Sequence, residues 1–217
     1  MVSTAPIASQ PIPQPVGEKR MVFRSFTWQK YQAFRATLAS DRNNRLIYTD
    51  GILEVTMPLE IHEFSARLIG LFIRILVVEL DMDLKTMGST TLEQESLEKS
   101  AEPDAAYYIQ NQPLVAGRDV NLVSDPPPDL VVEVDITHTD INKLRLYAAI
   151  GIPEFWRYNG EIWRIYCLQK GEYQEVQTSP TFPLVEKAKL YEFLSTARQS
   201  ETTAERELRA WVRSLQD

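Results

Sequence analysis

The chain has 217 residues, 44% of them hydrophobic and 24% charged, with a formal net charge of −7. That is enough apolar material for a full core without covalent staples, and the single cysteine, Cys167, excludes a disulfide framework and a thiolate zinc cluster. The acidic balance argues against a coat protein that grips nucleic acid through phosphates alone, but it leaves room for carboxylates gathered around a cation, because a bound metal supplies its own positive charge.

Residues 1–20 carry four prolines and almost no large apolar side chains, and read as a disordered arm. They lack a charged segment followed by an apolar one, so no signal peptide is expected there. Thr27 to Ala39 reads as a helix with Thr27 as N-cap. Leu46-Ile47-Tyr48 and Ile52-Leu53-Glu54-Val55 flank Asp50-Gly51, a hairpin signal. A long amphipathic helix follows from Glu60 to Leu80, with Phe64, Leu68, Leu71, Ile75 and Val78 near one face. Its hydrophobic stretch, interrupted by Arg74 and Glu79, is too short to cross a bilayer, and a cytoplasmic location is expected.

Three strand-like segments come next, at residues 84–87, 90–94 and 105–109, then a proline-rich connection over 112–128. The β-branched run Leu130 to Ile136 reads as a central strand. A helix over 140–150 is closed by Gly151 and Pro153. Two more strands, Glu154 to Tyr158 and Ile162 to Leu168, flank Asn159-Gly160, and residues 201–215 form a last helix of alternating charge. Cys167 falls in the apolar run Ile165 to Leu168 and is expected to be buried. The order is α-β-β-β-α-β with additions at both ends, an α/β or α+β domain. The expected boundaries are an arm at 1–20, a domain at 21–195 and a C-terminal helix at 196–217.

The informative segment is Asp129-Leu130-Val131-Val132-Glu133-Val134-Asp135. Strand alternation puts Asp129, Val131, Glu133 and Asp135 on one face, with Glu133 and Asp135 roughly 7 Å apart. Two acids on a greasy strand either face solvent or hold a cation, since burying them unpaired is costly. A second acid group, Glu102-Pro103-Asp104, leads into the strand at 105–109. Oxygen ligands with no thiolate and few histidines suit Mg²⁺ or Mn²⁺ better than Zn²⁺. Phosphodiester hydrolysis is the chemistry such a site serves best.

These blocks, with Lys143…Tyr147-Ala148-Ala149-Ile150-Gly151-Ile152-Pro153-Glu154-Phe155-Trp156, resemble the PD-(D/E)xK nuclease superfamily, and within it a bacterial restriction-endonuclease-like family, the Uma-type domain. The similarity runs from about Phe26 to Glu175. It implies a restriction-endonuclease-like core with a mixed sheet, an added N-terminal hairpin and a C-terminal helix. It also implies a Mg²⁺- or Mn²⁺-dependent endonuclease acting on DNA, with Asp104 and Glu133 holding the metal and Glu54 as an auxiliary acid. Asp135 occupies the place where the pattern puts its lysine, so Lys143, one turn into the following helix, is the substitute.

Several residues carry a plainer reading beside a functional one. His62 reads as an exposed or capping histidine, with a place in the site as the alternative. His138 reads as part of a Thr-rich N-cap turn, Tyr147 as core packing on the face of Lys143, and Asp129 as a turn or capping acid. Trp156, Trp163 and Tyr166 read as sheet packing rather than base stacking. The alternative function is a catalytically inactive nuclease-fold module that binds DNA or protein. A homodimer docked through the charged C-terminal helix is the expected assembly.

Overall fold

Two β-sheets, one of them mixed, and six helices make up the described residues of this computed structural model, which are 19–38, 44–57, 59–88, 90–136 and 139–216. The chain opens on β1 (Lys19–Phe23) and α1 (Trp28–Thr37), then β2 (Arg45–Thr49), β3 (Ile52–Met57), α2 (Glu60–Glu79), β4 (Lys85–Thr86), β5 (Leu92–Gln94) and β6 (Lys99–Ala101). Next come β7 (Ala105–Tyr108), the one-turn helix α3 (Gln112–Val115), β8 (Leu130–Val134), α4 (Lys143–Ile150) and β9 (Glu154–Tyr158). The chain ends with β10 (Trp163–Gln169), β11 (Glu172–Val176), α5 (Lys187–Ala197) and α6 (Glu201–Ser214). β1 takes in Lys19 and Arg20, the last two residues of the segment read as an arm; the rest of that segment lies outside the described residues.

The first sheet is antiparallel, in the order β1-β3-β2-β6-β5. The second runs β11-β10-β9-β8-β7-β4, with β8 and β9 parallel and joined by α4. The expected α-β-β-β-α-β order is met by α2, β4, β7, β8, α4 and β9, with one correction. The segment 90–94 is not the middle strand of that core; it is β5, at the edge of the first sheet.

Turn chemistry fixes the registers. Asp50 and Gly51, at φ 50° and 76°, form a two-residue loop that pairs Thr49 with Ile52. Lys170-Gly171, at φ 52° and 84°, does the same between β10 and β11. The turn at Asn159-Gly160 is longer than the two-residue loop its sequence suggests, spanning Asn159 to Ile162. The Asn159 side chain accepts from the Glu161 and Ile162 amides at 3.0 and 2.7 Å, which stabilises the wider loop.

Thr27 caps α1 as expected, and Gly151, at φ 87°, closes α4. Helix α4 opens later than its pattern suggests, at Lys143 rather than residue 140, because Asn142 caps it by accepting from the Arg145 amide at 3.1 Å. On α2 the buried stripe takes in Ile69, Phe72, Ile73, Leu76 and Val77, while Val78 is exposed. That stripe is wide because the mixed sheet covers one flank of α2, and α5 and α6 cover another. Cys167 is half-buried rather than buried, its strand lying next to the edge strand β11.

The packing gives layers. Helix α1 covers one face of the first sheet through Trp28, Tyr31, Tyr48 and Leu53. Ile47, on the opposite face, joins Val131, Leu146, Tyr147 and Phe155 in a second core between the two sheets. Leu130, Val132 and Val134 point the other way, into the large core under α2, α5 and α6. Strand β8 is therefore covered on both faces, and any acid it carries must find partners.

Candidate active site

Between the sheets, the strand alternation that hides Val131 also turns Glu133 inward, 3% exposed. The β7–β8 register pairs Ala105 with Val132, so one step further Asp104 stands opposite Glu133. Both carboxylates line a small cavity of about 20 Å³, room for about one water or one small ion, together with Arg20, Arg45, Thr56, His62, Glu102, Asp135 and Lys143.

Lys143 reaches this cavity from the first residue of α4. Its Nζ lies 2.9 Å from Glu133 Oε2 and 2.6 Å from Asp135 Oδ1. The other Glu133 oxygen accepts from the Tyr147 hydroxyl, one helical turn along α4. Asp135 Oδ2 accepts from Arg157 Nε at 2.8 Å. An alternating chain of charges results: Arg157, Asp135, Lys143, Glu133, with Tyr147 at its end.

Burial pushes the Glu133 carboxyl above the ordinary glutamate value, against the pull of the Lys143 ammonium. For Asp135 burial acts in the same sense, but Lys143 and Arg157 together hold it below the usual aspartate value. Burial works to lower Lys143, and the two carboxylates outdo it, so its pKa rises and it remains an ammonium. Tyr147 is raised well above a free tyrosine by burial and by Glu133, which keeps its hydroxyl proton available as a donor.

Asp104 has its own ring of donors. Arg45 Nη1 contacts Oδ1, the Val134 amide donates to Oδ2 at 2.6 Å, and His62 Nε2 lies 3.2 Å from Oδ2. Arg45 is also held by Glu63 in the first turn of α2, at 2.8 Å. His62 is 4% exposed, which corrects the expectation of an exposed or capping residue. Burial and the nearby Arg45 bring its pKa down to about 4, so it is neutral at pH 7.

Glu54 stands on the face of the first sheet that carries Arg45. It is buried but does not line the cavity. Its oxygens accept from Thr139 Oγ1 at 3.0 and 3.1 Å and from the Asp140 amide at 3.3 Å, with Arg20 Nε at 3.4 Å. It ties the first sheet to the loop that leads into α4. Tyr147 is both core packing and a partner of Glu133, whereas Trp156, Trp163 and Tyr166 are buried sheet residues. Asp129 is structural, accepting from the Ile109 and Asn111 amides and the Asn111 side chain. Glu102 bonds the Leu46 amide and the Thr91 hydroxyl. His138 lies outside the described residues.

Arg45, Arg157 and Thr139 were not singled out by sequence reasoning. A signal for Arg45 was available: the two-residue Asp50-Gly51 loop fixes the β2–β3 register, which pairs Ile47 with Glu54 and so sets Arg45 on the same face. Arg157 carries no such signal, because its place beside Glu133 depends on a parallel crossover.

The donor set fits a hard divalent ion. Two carboxylates face each other across one antiparallel pair, beside a space of ion size. Among the described residues no group of three or more His, Cys, Asp or Glu side chains is arranged to hold a metal ion, so the oxygens available to one here are those of Asp104 and Glu133.

The family model Uma2, described as "Putative restriction endonuclease", matches residues 28–199. The chain belongs to the Uma2 family. The match takes in Asp104, Glu133, Asp135 and Lys143, together with Arg45, Glu54, His62, Tyr147 and Arg157. A crystal structure described as a "putative nuclease belonging to DUF820" from Anabaena variabilis ATCC 29413 is similar to this Uma2 chain at TM-score 0.46 and 14% identity, covering 86% of this chain and 99% of that one. No protein of curated function matches. No helix among the described residues is long and apolar enough to cross a membrane.

Proposed function

We propose that this Uma2 protein is a divalent-metal-dependent endonuclease that hydrolyses DNA phosphodiester bonds, with Asp104 and Glu133 holding Mg²⁺ or Mn²⁺ and Lys143 as the cationic catalytic residue. The observation that carries the reading is the convergence of Asp104 and Glu133 across the β7–β8 pair with the Lys143 ammonium at 2.9 Å from Glu133. Membership of a family described as "Putative restriction endonuclease" supports it.

A bound Mg²⁺-class ion supplies charge neutralisation of the phosphate and a more acidic water. The chain's own residues do the rest. Lys143, kept charged by Glu133 and Asp135, would donate to the negative charge that builds on the phosphoryl oxygens as a water oxygen bonds to phosphorus and the P–O ester bond breaks, the leaving oxygen taking a proton from solvent. It acts as a charge donor and not as a base, because its partners hold its proton. Tyr147 fixes one Glu133 oxygen, and Arg157 fixes Asp135, so the ammonium has one position to occupy. Glu54 acts at one remove, by holding Thr139 and Asp140 so that α4 begins where Lys143 can reach.

Cutting both strands takes two such sites, and a homodimer supplies them. Helix α6 buries Ala204, Leu208 and Val212 in the core with α2 and α5, so a homodimer docked through this helix would use its exposed charged face. The second reading, an inactive nuclease-fold module, is favoured by one observation: Arg45 and Lys143 already neutralise the two carboxylates that an ion would use.

Supercoiled-plasmid cleavage with Mg²⁺ or Mn²⁺ separates these readings. Wild type should cut, EDTA should abolish cutting, and Glu133→Gln should slow it by about a hundredfold or more. A folded wild type that cuts no DNA with either metal contradicts the nuclease and leaves the binding module.

A further inference from the structure

Lys143 is a shared wall. On one side lies the cavity with Asp104 and Glu133; on the other lies a larger open groove of about 520 Å³, lined by Thr139, Asp140, Asn142, Lys143, Leu144 and Arg157. Arg157 sits one strand over from Glu133, its register partner on β9. Its hydrogen bonding is one-sided. Nε is anchored on the buried Asp135 at 2.8 Å, and no hydrogen bond reaches its two terminal nitrogens among the described residues. The side chain is 32% exposed, so this fork is open to the groove.

A guanidinium held at Nε and open at both terminal nitrogens is preset for a planar pair of oxygens on a tetrahedral anion. The rest of the groove agrees in charge. The first residues of α4 line it, so the positive end of that eight-residue helix lies there. The acid among the lining residues, Asp140, is paired with Arg24 at 3.2 Å, and the Thr139 hydroxyl is committed to Glu54. On a chain of net charge −7, a groove that presents the outer nitrogens of one guanidinium beside a helix N-terminus is where a single phosphate of a polyanion can lie.

We infer that this groove binds a non-scissile backbone phosphate of the substrate strand, with the terminal nitrogens of Arg157 as the donors. The inference rests on the nuclease reading only for the identity of the anion. The strand then crosses Lys143, with the reacting phosphate against the carboxylate cavity, whose own space suffices for one small ion, and a neighbouring phosphate on Arg157. Such a contact positions the strand and reads no bases, so its effect is the same on every sequence.

The test is fluorescence anisotropy of a labelled DNA duplex with the full chain in EDTA, across a salt series, so that binding is read without catalysis. Arg157→Gln should weaken binding by roughly tenfold at low salt, equally for unrelated sequences, and should lower the slope of log K against log salt by about 1. Because Arg157 also steadies Asp135, a second variant removes that ambiguity. Asn142→Asp keeps the helix cap and leaves Arg157 and Asp135 untouched, but adds a negative charge to the groove. It should weaken binding several-fold. Wild-type cleavage combined with unchanged affinity and slope in both variants overturns the groove and leaves the nuclease standing. An Arg157-dependent slope with no cleavage under any metal keeps the groove and overturns the nuclease. A wild type that binds no duplex even at low salt overturns the groove outright.

Discussion

A buried neutral histidine between an arginine and an aspartate has a measurable cost. His62 faces Arg45 and Lys143, which disfavour its proton, and Glu63, Asp135 and Asp104, which do not outweigh burial. Its pKa falls from 6.5 to about 4 in the folded chain. The unfolded chain therefore takes up the proton first, and stability drops as pH falls from about 6.5 to about 4, by up to about 3 kcal/mol. Urea melts of metal-free protein at pH 7 and pH 4.5 should show a loss in wild type that is smaller by most of this amount in His62→Gln. Equal losses in the two proteins contradict the neutral-histidine account. The acids themselves were legible in the sequence, because Glu133 and Asp135 share a strand face whatever the fold around them. Lys143 was legible through the resemblance and His62 as an alternative, but Arg45 and Arg157 were not, because they reach the site from other strands, and only the β2–β3 turn leaves a trace of its register in the chain.

At the scale of elements, α4 positions much of the site. It carries Lys143 and Tyr147 on one face, is capped by Asn142 and Gly151, and is steadied at its entrance by Glu54 through Thr139 and Asp140. Glu54→Gln should therefore loosen the entrance rather than strip the ion. It should cost about 1–3 kcal/mol, since buried donors lose a charged acceptor. Amide exchange over residues 139–143 should quicken, and calorimetric Mn²⁺ affinity should stay within about twofold of wild type. A tenfold or larger loss of affinity would instead put Glu54 on the ion. The helix and its stop were readable from Gly151-Ile152-Pro153, as was the β2–β3 hairpin from Asp50-Gly51. Strand β11 was missed because Lys170-Gly171 lacks the Asn or Asp that marks such turns, and α5 because its apolar face shows only against α2 and α6.

For the whole molecule, the site exists because two sheets meet. The first sheet brings Arg20, Arg45 and Glu54 to one face, and the mixed sheet brings Asp104, Glu133 and Asp135 to the other. Composition could not show this meeting, since strand assignment to one sheet or the other depends on long-range pairing; β5 is the example. Asp104 is matched by Arg45, Glu133 and Asp135 share Lys143, and Asp135 also takes Arg157, so the cleft is near neutral and has room for a cation beside two oxygens.

The most direct test of that claim is a crystal structure of the protein soaked in Mn²⁺, with the ion located by its anomalous signal. One peak within about 2.0–2.3 Å of carboxylate oxygens of both Asp104 and Glu133, with Arg45 moved off Asp104, is the expected result. A peak at other residues, or none between these two in crystals of protein that cuts DNA, would contradict the assignment of the site.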